Sequence, residues 1–153
     1  MAYDASAVAN RFIDLAAEAG EKLTPMQIIK LTYIAHGFSL AINKRPLVDE
    51  SVEAWRYGPV IPSLYRRLKK FGSSYVTEQV SHGAFRASET LKDEDQQLVD
   101  LVFKKYGGFS GVQLSHLTHR PGTPWAETYE PGVYGIDIDD AIIRTHYATL
   151  LNR

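Results

Sequence analysis

The sequence predicts a mainly α-helical protein, a single-domain helical bundle of about six helices with a small β element between the second and third helices. Three observations support this prediction. Apolar residues recur at helical spacing in several segments, one of those segments is apolar on two sides, and short extended segments follow it. The length of 153 residues is in the usual range for one domain, so we expect a single domain over residues 1–153.

The composition excludes several classes of protein. A hydrophobic content of 44% with 23% charged residues is typical of an ordinary globular chain. The net charge of −1 gives no overall field that attracts nucleic acid, and the absence of cysteine excludes disulfides and thiolate chemistry. The N-terminus lacks a signal-peptide pattern, and no apolar run approaches the ~18 residues of a membrane span. We therefore expect a cytoplasmic protein with no membrane partner.

The second predicted helix is the expected centre of the bundle. Thr24 and Gln27 form a capping-box pattern, with Pro25 at the first helical position. Lys30 and His36 occupy the polar positions that remain, and a satisfied interior histidine is the preferred interpretation of His36. Two apolar stripes predict that this helix is covered on two sides. One stripe contains Ile28, Leu31, Ala35, Phe38 and Ile42, and the other contains Met26, Ile29, Tyr33 and Leu40.

The segment Glu53-Ala54-Trp55-Arg56-Tyr57-Gly58-Pro59 follows the central helix. Strand alternation would place Trp55 and Tyr57 on one face and Arg56 on the other, and Gly58-Pro59 would then reverse the chain. The aromatic side chains have two interpretations that the sequence leaves open. They either anchor the third helix to the core, or they form a recognition surface, since Trp, Tyr and Arg are enriched among interface hot spots.

The other elements are predicted from apolar periodicity and end signals. A first helix covers Asp4 to Ala19, and a third runs from Pro62 to about Phe71. Residues 75–77 and 84–86 could pair as a hairpin, with a disordered loop as the alternative. The remaining predictions lie in the C-terminal half. They are a fourth helix from Asp93 to Tyr106, a fifth opened by a capping box at Ser110 and Gln113, a helical turn at Pro124, and a last helix from Asp139 that buries Ile142, Ile143, His146, Tyr147 and Leu150.

No residue pattern rises to a catalytic or metal site. His116 and His119 have a spacing that can present two ligands, but no carboxylate in the same helix completes a metal set. The acidic group Asp137, Asp139 and Asp140 is explained by helix capping. We therefore expect no enzyme activity, no cofactor and no metal.

The third helix carries the strongest local charge. Arg66, Arg67, Lys69 and Lys70 fall within five residues. A solvated helix face is the first interpretation, an anionic protein partner the second and nucleic acid the third, because the net charge is slightly negative and no known DNA-binding motif is present. A nucleic-acid-binding regulator using this helix is therefore the alternative function.

The order of motifs between Leu23 and Lys69 resembles the Panacea domain, also called the SocA-like antitoxin domain and often labelled a phage-associated protein. The similarity rests on Leu23–Gly37 with its Lys-Leu pair, on Pro46-Leu47, on Glu53–Pro62 and on Leu64-Tyr65. The later Leu114–His119 and Pro124-Trp125 are also similar to that family. Thr32 departs from the expected Leu, a difference that concerns packing more than function.

The resemblance implies a mainly helical antitoxin that is encoded beside a variable toxin and neutralises it by direct protein binding. One member of the family is also a proteolytic adaptor that delivers its toxin to the ClpXP protease, which makes ClpX a second partner to test. We expect the toxin-binding face near the Trp55 segment and the third helix. The candidate partner-binding residues are Trp55, Arg56, Tyr57, Arg66, Arg67 and Lys70.

Overall fold

The computed structural model describes residues 2–80 and 90–151, and in them it confirms the mainly α-helical prediction. Seven α-helices and three short strands lie within the described residues, with a 3-10 turn at Lys69–Phe71. The helical turn predicted at Pro124 is the sixth helix. The helices are α1 (Ala5–Glu18), α2 (Pro25–Ile42), α3 (Pro62–Leu68), α4 (Asp93–Tyr106), α5 (Gly111–His119), α6 (Pro124–Thr128) and α7 (Asp140–Leu151), and the strands are β1 (Glu53–Trp55), β2 (Gly58–Val60) and β3 (Ile136–Asp137).

Helix α2 is the centre of the bundle, as its two apolar stripes predict. Fifteen of its residues are buried, and α1, α4, α5 and α7 pack around it. The contact with α7 is closest at Gly37, where an added Cβ would lie 2.3 Å from Cδ2 of Tyr147. The missing side chain therefore lets the Tyr147 ring lie directly on the α2 backbone. The stripe prediction is wrong at its ends, because Met26 and Ile42 are exposed.

The predicted helix starts are confirmed at atomic detail. Thr24 and Gln27 form both hydrogen bonds of a capping box, and Ser110 and Gln113 do the same for α5. These caps satisfy amide groups that have no partner inside the helix. Asp139 accepts a hydrogen bond from the Ala141 amide at 2.9 Å, which confirms the capping role predicted for the acidic group before α7.

His36 is a satisfied interior histidine. Its Nδ1 accepts hydrogen bonds from the Leu47 and Val48 amides at 3.2 and 3.3 Å, so the ring proton is on Nε2. Nε2 lies 2.9 Å from Oδ1 of Asp140 and donates to it. The side chain thus joins α2 to the segment before β1 and to the start of α7.

The small β element forms where the sequence predicts it, with one correction and one addition. Strand β1 lies in the middle of an antiparallel sheet of order β2-β1-β3. Trp55 pairs with Gly58, so the chain reverses at Arg56 and Tyr57 instead of at Gly58-Pro59. Trp55 and Tyr57 therefore do not share a strand face. Gly58 has φ of 119°, a conformation that glycine adopts without steric cost, and this permits the two-residue reversal.

Two further predictions differ from the structure. Strand β3 was not predicted, because a two-residue strand carries no alternation pattern. In α7, Ile143 and Tyr147 are buried, whereas Ile142, His146 and Leu150 are only partly buried, because that helix covers α2 with one narrow side. The hairpin predicted from residues 75–77 and 84–86 includes positions that lie outside the described residues.

Candidate functional site

An open groove lies between the start of α2, the β1–β2 hairpin, α3 and the segment that leads to β3. Its volume is about 1120 Å³, slightly larger than is usual for ligand pockets. We call it the aromatic groove, because five aromatic side chains line it. These are Trp55, Tyr57, Tyr65, Tyr129 and Tyr134.

The inner wall of the aromatic groove is held in place by specific contacts. The rings of Trp55 and Tyr65 meet edge to face, with centroids 4.9 Å apart, and Nε1 of Trp55 donates to Oε1 of Glu53 at 2.9 Å. Opposite, Tyr129 stacks on Trp125, whose Nε1 donates to the Trp55 carbonyl. The hairpin, α3 and α6 are therefore joined through aromatic contacts, and the wall is formed before any partner arrives.

The rim of the aromatic groove exposes large apolar side chains. Tyr57 is 67% exposed at the tip of the hairpin, with the Arg56 guanidinium 5.5 Å from its ring centre. Tyr134 is 95% exposed, and the adjacent Val133 is also exposed. Contiguous apolar surface of this kind around a concavity is typical of a binding site.

Lys30 lies at the base of the aromatic groove. Its side chain comes from the buried side of α2, and the whole residue is 4% exposed. Nζ donates to the Pro59 carbonyl at 2.8 Å, and burial lowers the pKa of the ammonium group to about 7. An added Cβ at Gly58 would lie 2.8 Å from Nζ, so the glycine leaves the space in which the lysine ends.

The predicted site residues separate into two groups. Trp55, Arg56 and Tyr57 all line the aromatic groove, whereas Arg66, Arg67 and Lys70 do not. The reason is helical geometry, because Tyr65, Leu68 and Lys69 share the side of the third helix that faces the groove. We call the second group, Arg66, Arg67 and Lys70, the basic face.

Two members of the basic face have partners inside the chain. Arg67 Nη1 donates to Oδ1 of Asp4 at 2.7 Å and to Oγ of Ser6 at 2.8 Å, and it lies 3.9 Å from Oε2 of Glu50. Lys70 Nζ donates to Oε1 of Glu78 at 2.9 Å. Arg66 is exposed. Arg67 therefore ties α3 to the start of α1.

Several groove residues were not predicted as site residues. Lys30 had one usable signal, a cation among the apolar residues of a central helix. Tyr65 belongs to the apolar side of the third helix together with Leu64 and Leu68, so its position indicates core packing. Tyr129 and Tyr134 lie in and beside a Pro-Gly loop without periodicity, and the sequence around them gave no signal.

The described residues offer no group of three or more His, Cys, Asp or Glu side chains that could hold a metal ion. The rings of His116 and His119 lie 6.1 Å apart, and His119 packs against Trp125 at 5.2 Å. His119 thus contributes to the aromatic contacts behind the groove. Among the described residues no helix is both long and apolar enough to cross a membrane.

Comparison with known proteins decides the family. Residues 28–126 match the family described as antitoxin SocA-like, Panacea domain. The chain belongs to this family. Antitoxin SocA of Caulobacter vibrioides (strain NA1000 / CB15N) is 32% identical over 154 residues, which cover 94% of this chain and 82% of the relative. No solved structure matches the chain.

Membership of the Panacea family supports an antitoxin role. The family match includes Lys30, the hairpin and α3, and it ends before Tyr129 and Tyr134. The base and inner wall of the aromatic groove therefore lie mostly within the matched segment, while one side of the rim lies beyond it.

Proposed function

We propose that this Panacea-family chain is an antitoxin that neutralises a cognate protein toxin by direct binding, and that the aromatic groove is the contact surface. The observation that carries the proposal is the open, aromatic-lined groove on a member of an antitoxin family. Binding of this kind needs no catalytic group, so the proposed action is not enzymatic. We place it in the cytoplasm, where a toxin made by the same cell would be intercepted.

The chemistry of the groove fits a protein partner. Trp, Tyr and Arg are the residue types that dominate the energy of protein interfaces, and the aromatic groove contains all three. Its inner wall is already ordered by the Trp55–Tyr65 and Trp125–Tyr129 contacts, so little conformational entropy is lost there on binding. Tyr57 and Tyr134 would exchange exposure to water for contact with the partner, which favours association.

The test uses the product of the reading frame beside the gene for this chain. We expect co-expression of this chain to restore growth that the neighbouring product arrests, and the two purified proteins to form a complex by pull-down and size-exclusion chromatography. A double substitution, Tyr57→Ala with Tyr134→Ala, should abolish rescue, and Arg66→Ala is the matched control. Absence of a complex between the wild-type chain and the product would refute the proposal.

Delivery of the toxin to ClpXP is a further step that direct binding does not require. Its measure is the lifetime of the toxin in cells with and without ClpX, with this chain present in both. If the chain is an adaptor, the toxin should be degraded only when ClpX is present. Equal lifetimes in the two kinds of cell would indicate that the chain neutralises the toxin by binding alone.

Nucleic-acid binding through α3 is the competing function, and it has a separate test. Arg67 and Lys70 already form ion pairs with carboxylates, which lowers the positive charge available to phosphates. We therefore expect no affinity for duplex DNA at low salt in a fluorescence titration. Binding that weakens steeply with added salt and is lost in Arg66→Ala would favour the nucleic-acid function instead.

A further inference from the structure

The base of the aromatic groove holds a cation with unused hydrogen-bonding capacity. An ammonium group has three N–H donors, and Lys30 Nζ makes one hydrogen bond with the described residues, to the Pro59 carbonyl. It forms no ion pair with a carboxylate in residues 2–80 and 90–151. A buried lysine without a carboxylate is costly to the free chain, because buried charges are normally paired.

The charges around this lysine favour an anionic occupant. Arg56 and Lys69 also line the aromatic groove, so three of the four charged side chains that line it in the described part of the chain are cationic. The one carboxylate, Glu53, accepts the hydrogen bond from Trp55 Nε1. The remaining lining is mainly aromatic and aliphatic, so apolar side chains next to the anion would be covered as well.

We propose that the aromatic groove binds a segment of the toxin in which an acidic side chain, flanked by apolar residues, reaches Lys30 Nζ. This inference rests on the proposed function and adds the chemistry of the partner. The carboxylate would take up the N–H donors that Lys30 leaves unused. The flanking apolar residues would lie against Trp55 and Tyr65, and Tyr134 would cover them from the rim.

The lowered pKa of Lys30 supports this geometry. Burial brings the pKa to about 7, so part of the free chain carries a neutral amine near neutral pH. A carboxylate beside Nζ favours the charged form. Binding of the carboxylate would therefore be coupled to protonation of Lys30.

The decisive variant is Lys30→Met, which keeps the unbranched side chain up to Cε and removes the charged amine. Because the variant removes a buried unpaired cation, it should stay folded, which thermal unfolding by circular dichroism checks. We expect its affinity for the toxin encoded in the neighbouring reading frame, measured by calorimetry, to fall at least tenfold. Lys104→Met on α4 is the matched control and should bind as the wild type does.

A library probe tests the chemistry without the toxin. Random dodecapeptides displayed on phage are selected on the wild-type chain and on Lys30→Met. We expect the wild type to enrich peptides with Asp or Glu between apolar residues, and the variant not to enrich them. Recovery of no peptides, or of peptides without an acidic residue, would overturn the inference.

The two proposals fail in different ways. A wild-type chain that forms no complex with the neighbouring product removes the proposed function. A wild-type complex that Lys30→Met reproduces with unchanged affinity leaves the proposed function standing and removes the role of Lys30.

Discussion

The aromatic groove and the basic face lie on two sides of the same short helix. They differ in how far contacts inside the protein already occupy their side chains. On the basic face, Arg67 donates to Asp4 and Ser6, and Lys70 donates to Glu78. In the groove, Lys30 retains unused donors and Tyr134 is almost fully exposed. This difference is why we propose the groove, and not the basic face, as the binding surface.

Two substitutions test this difference by removing stability, one by adding it and one by weakening binding. Each substitution changes either a residue whose contacts hold the fold together or a residue that the proposed partner would contact.

The largest loss of stability is expected for Gly58→Ala at the base of the groove. The backbone φ of 119° is strained for alanine, and the new Cβ would lie 2.8 Å from Lys30 Nζ. We expect a loss of roughly 2–4 kcal/mol in urea unfolding. Gly108→Ala is the control, because an added Cβ there meets nothing within 4 Å. A loss below about 1 kcal/mol at Gly58 would contradict the tight packing of Lys30 under the hairpin.

Arg67→Met should be the next most destabilising change. It removes the cation beside the buried Asp4 carboxylate and the hydrogen bond to Ser6. We expect a loss of about 2 kcal/mol in the same assay, while Arg66→Met stays within about 0.5 kcal/mol of the wild type. If Arg67→Met unfolds like the wild type but loses the toxin, the basic face is a binding surface after all.

Lys30→Met should stabilise the chain in a pH-dependent way. The unfolded lysine keeps its proton to about pH 10.5 and the folded one loses it near pH 7, so the unfolded state binds more protons between these values. Wild-type stability therefore gains up to ~1.4 kcal/mol per pH unit from this group as pH rises above 7.

The variant lacks this group, so its advantage over the wild type should be largest at pH 6–7 and shrink towards pH 9. Urea unfolding at four pH values measures it. All ionisable groups other than Lys30 are the same in both proteins, so their contributions cancel in the difference. An advantage that does not change with pH would show that Lys30 is not held as a buried cation.

Tyr134→Ala should change stability least and still weaken binding. The side chain is 95% exposed, so its removal should alter the unfolding free energy by less than about 0.5 kcal/mol. We expect toxin affinity to fall about tenfold or more, measured by calorimetry. Tyr75→Ala, which removes another exposed tyrosine outside the groove, is the control. Equal affinities for the two variants would exclude the rim from the interface.

The features predicted correctly from the sequence are those set by neighbouring residues. The capping boxes at Thr24 and Ser110 depend on a residue three positions away, and the two stripes of α2 follow from helical spacing. The hairpin was predicted in place, but its reversal was assigned to Gly58-Pro59 because that pair carries the strongest turn signal. The structure instead uses the glycine to end the turn, with Pro59 opposite Ala54 in the sheet.

The groove could not be predicted because tertiary contacts assemble it. Tyr129 and Tyr134 come close to the hairpin only through the β1–β3 pairing and the Trp125 contact, and neither leaves a periodic signal. The internal role of Arg67 depends on Asp4, 63 positions away in the chain. Burial of Lys30 away from every carboxylate in residues 2–80 and 90–151 is likewise a property of the whole fold.

The pairing of Ala54 with Ile136 has a consequence for engineering. It anchors the loop that carries Tyr134 to the hairpin through backbone atoms. The attachment therefore does not depend on which side chains the loop carries. Residues 130–134 are all exposed, with none of them in the core. The rim side chains can therefore be replaced on an unchanged scaffold, and a library restricted to Arg56, Tyr57 and residues 130–134 is a compact starting point for selecting new binding partners.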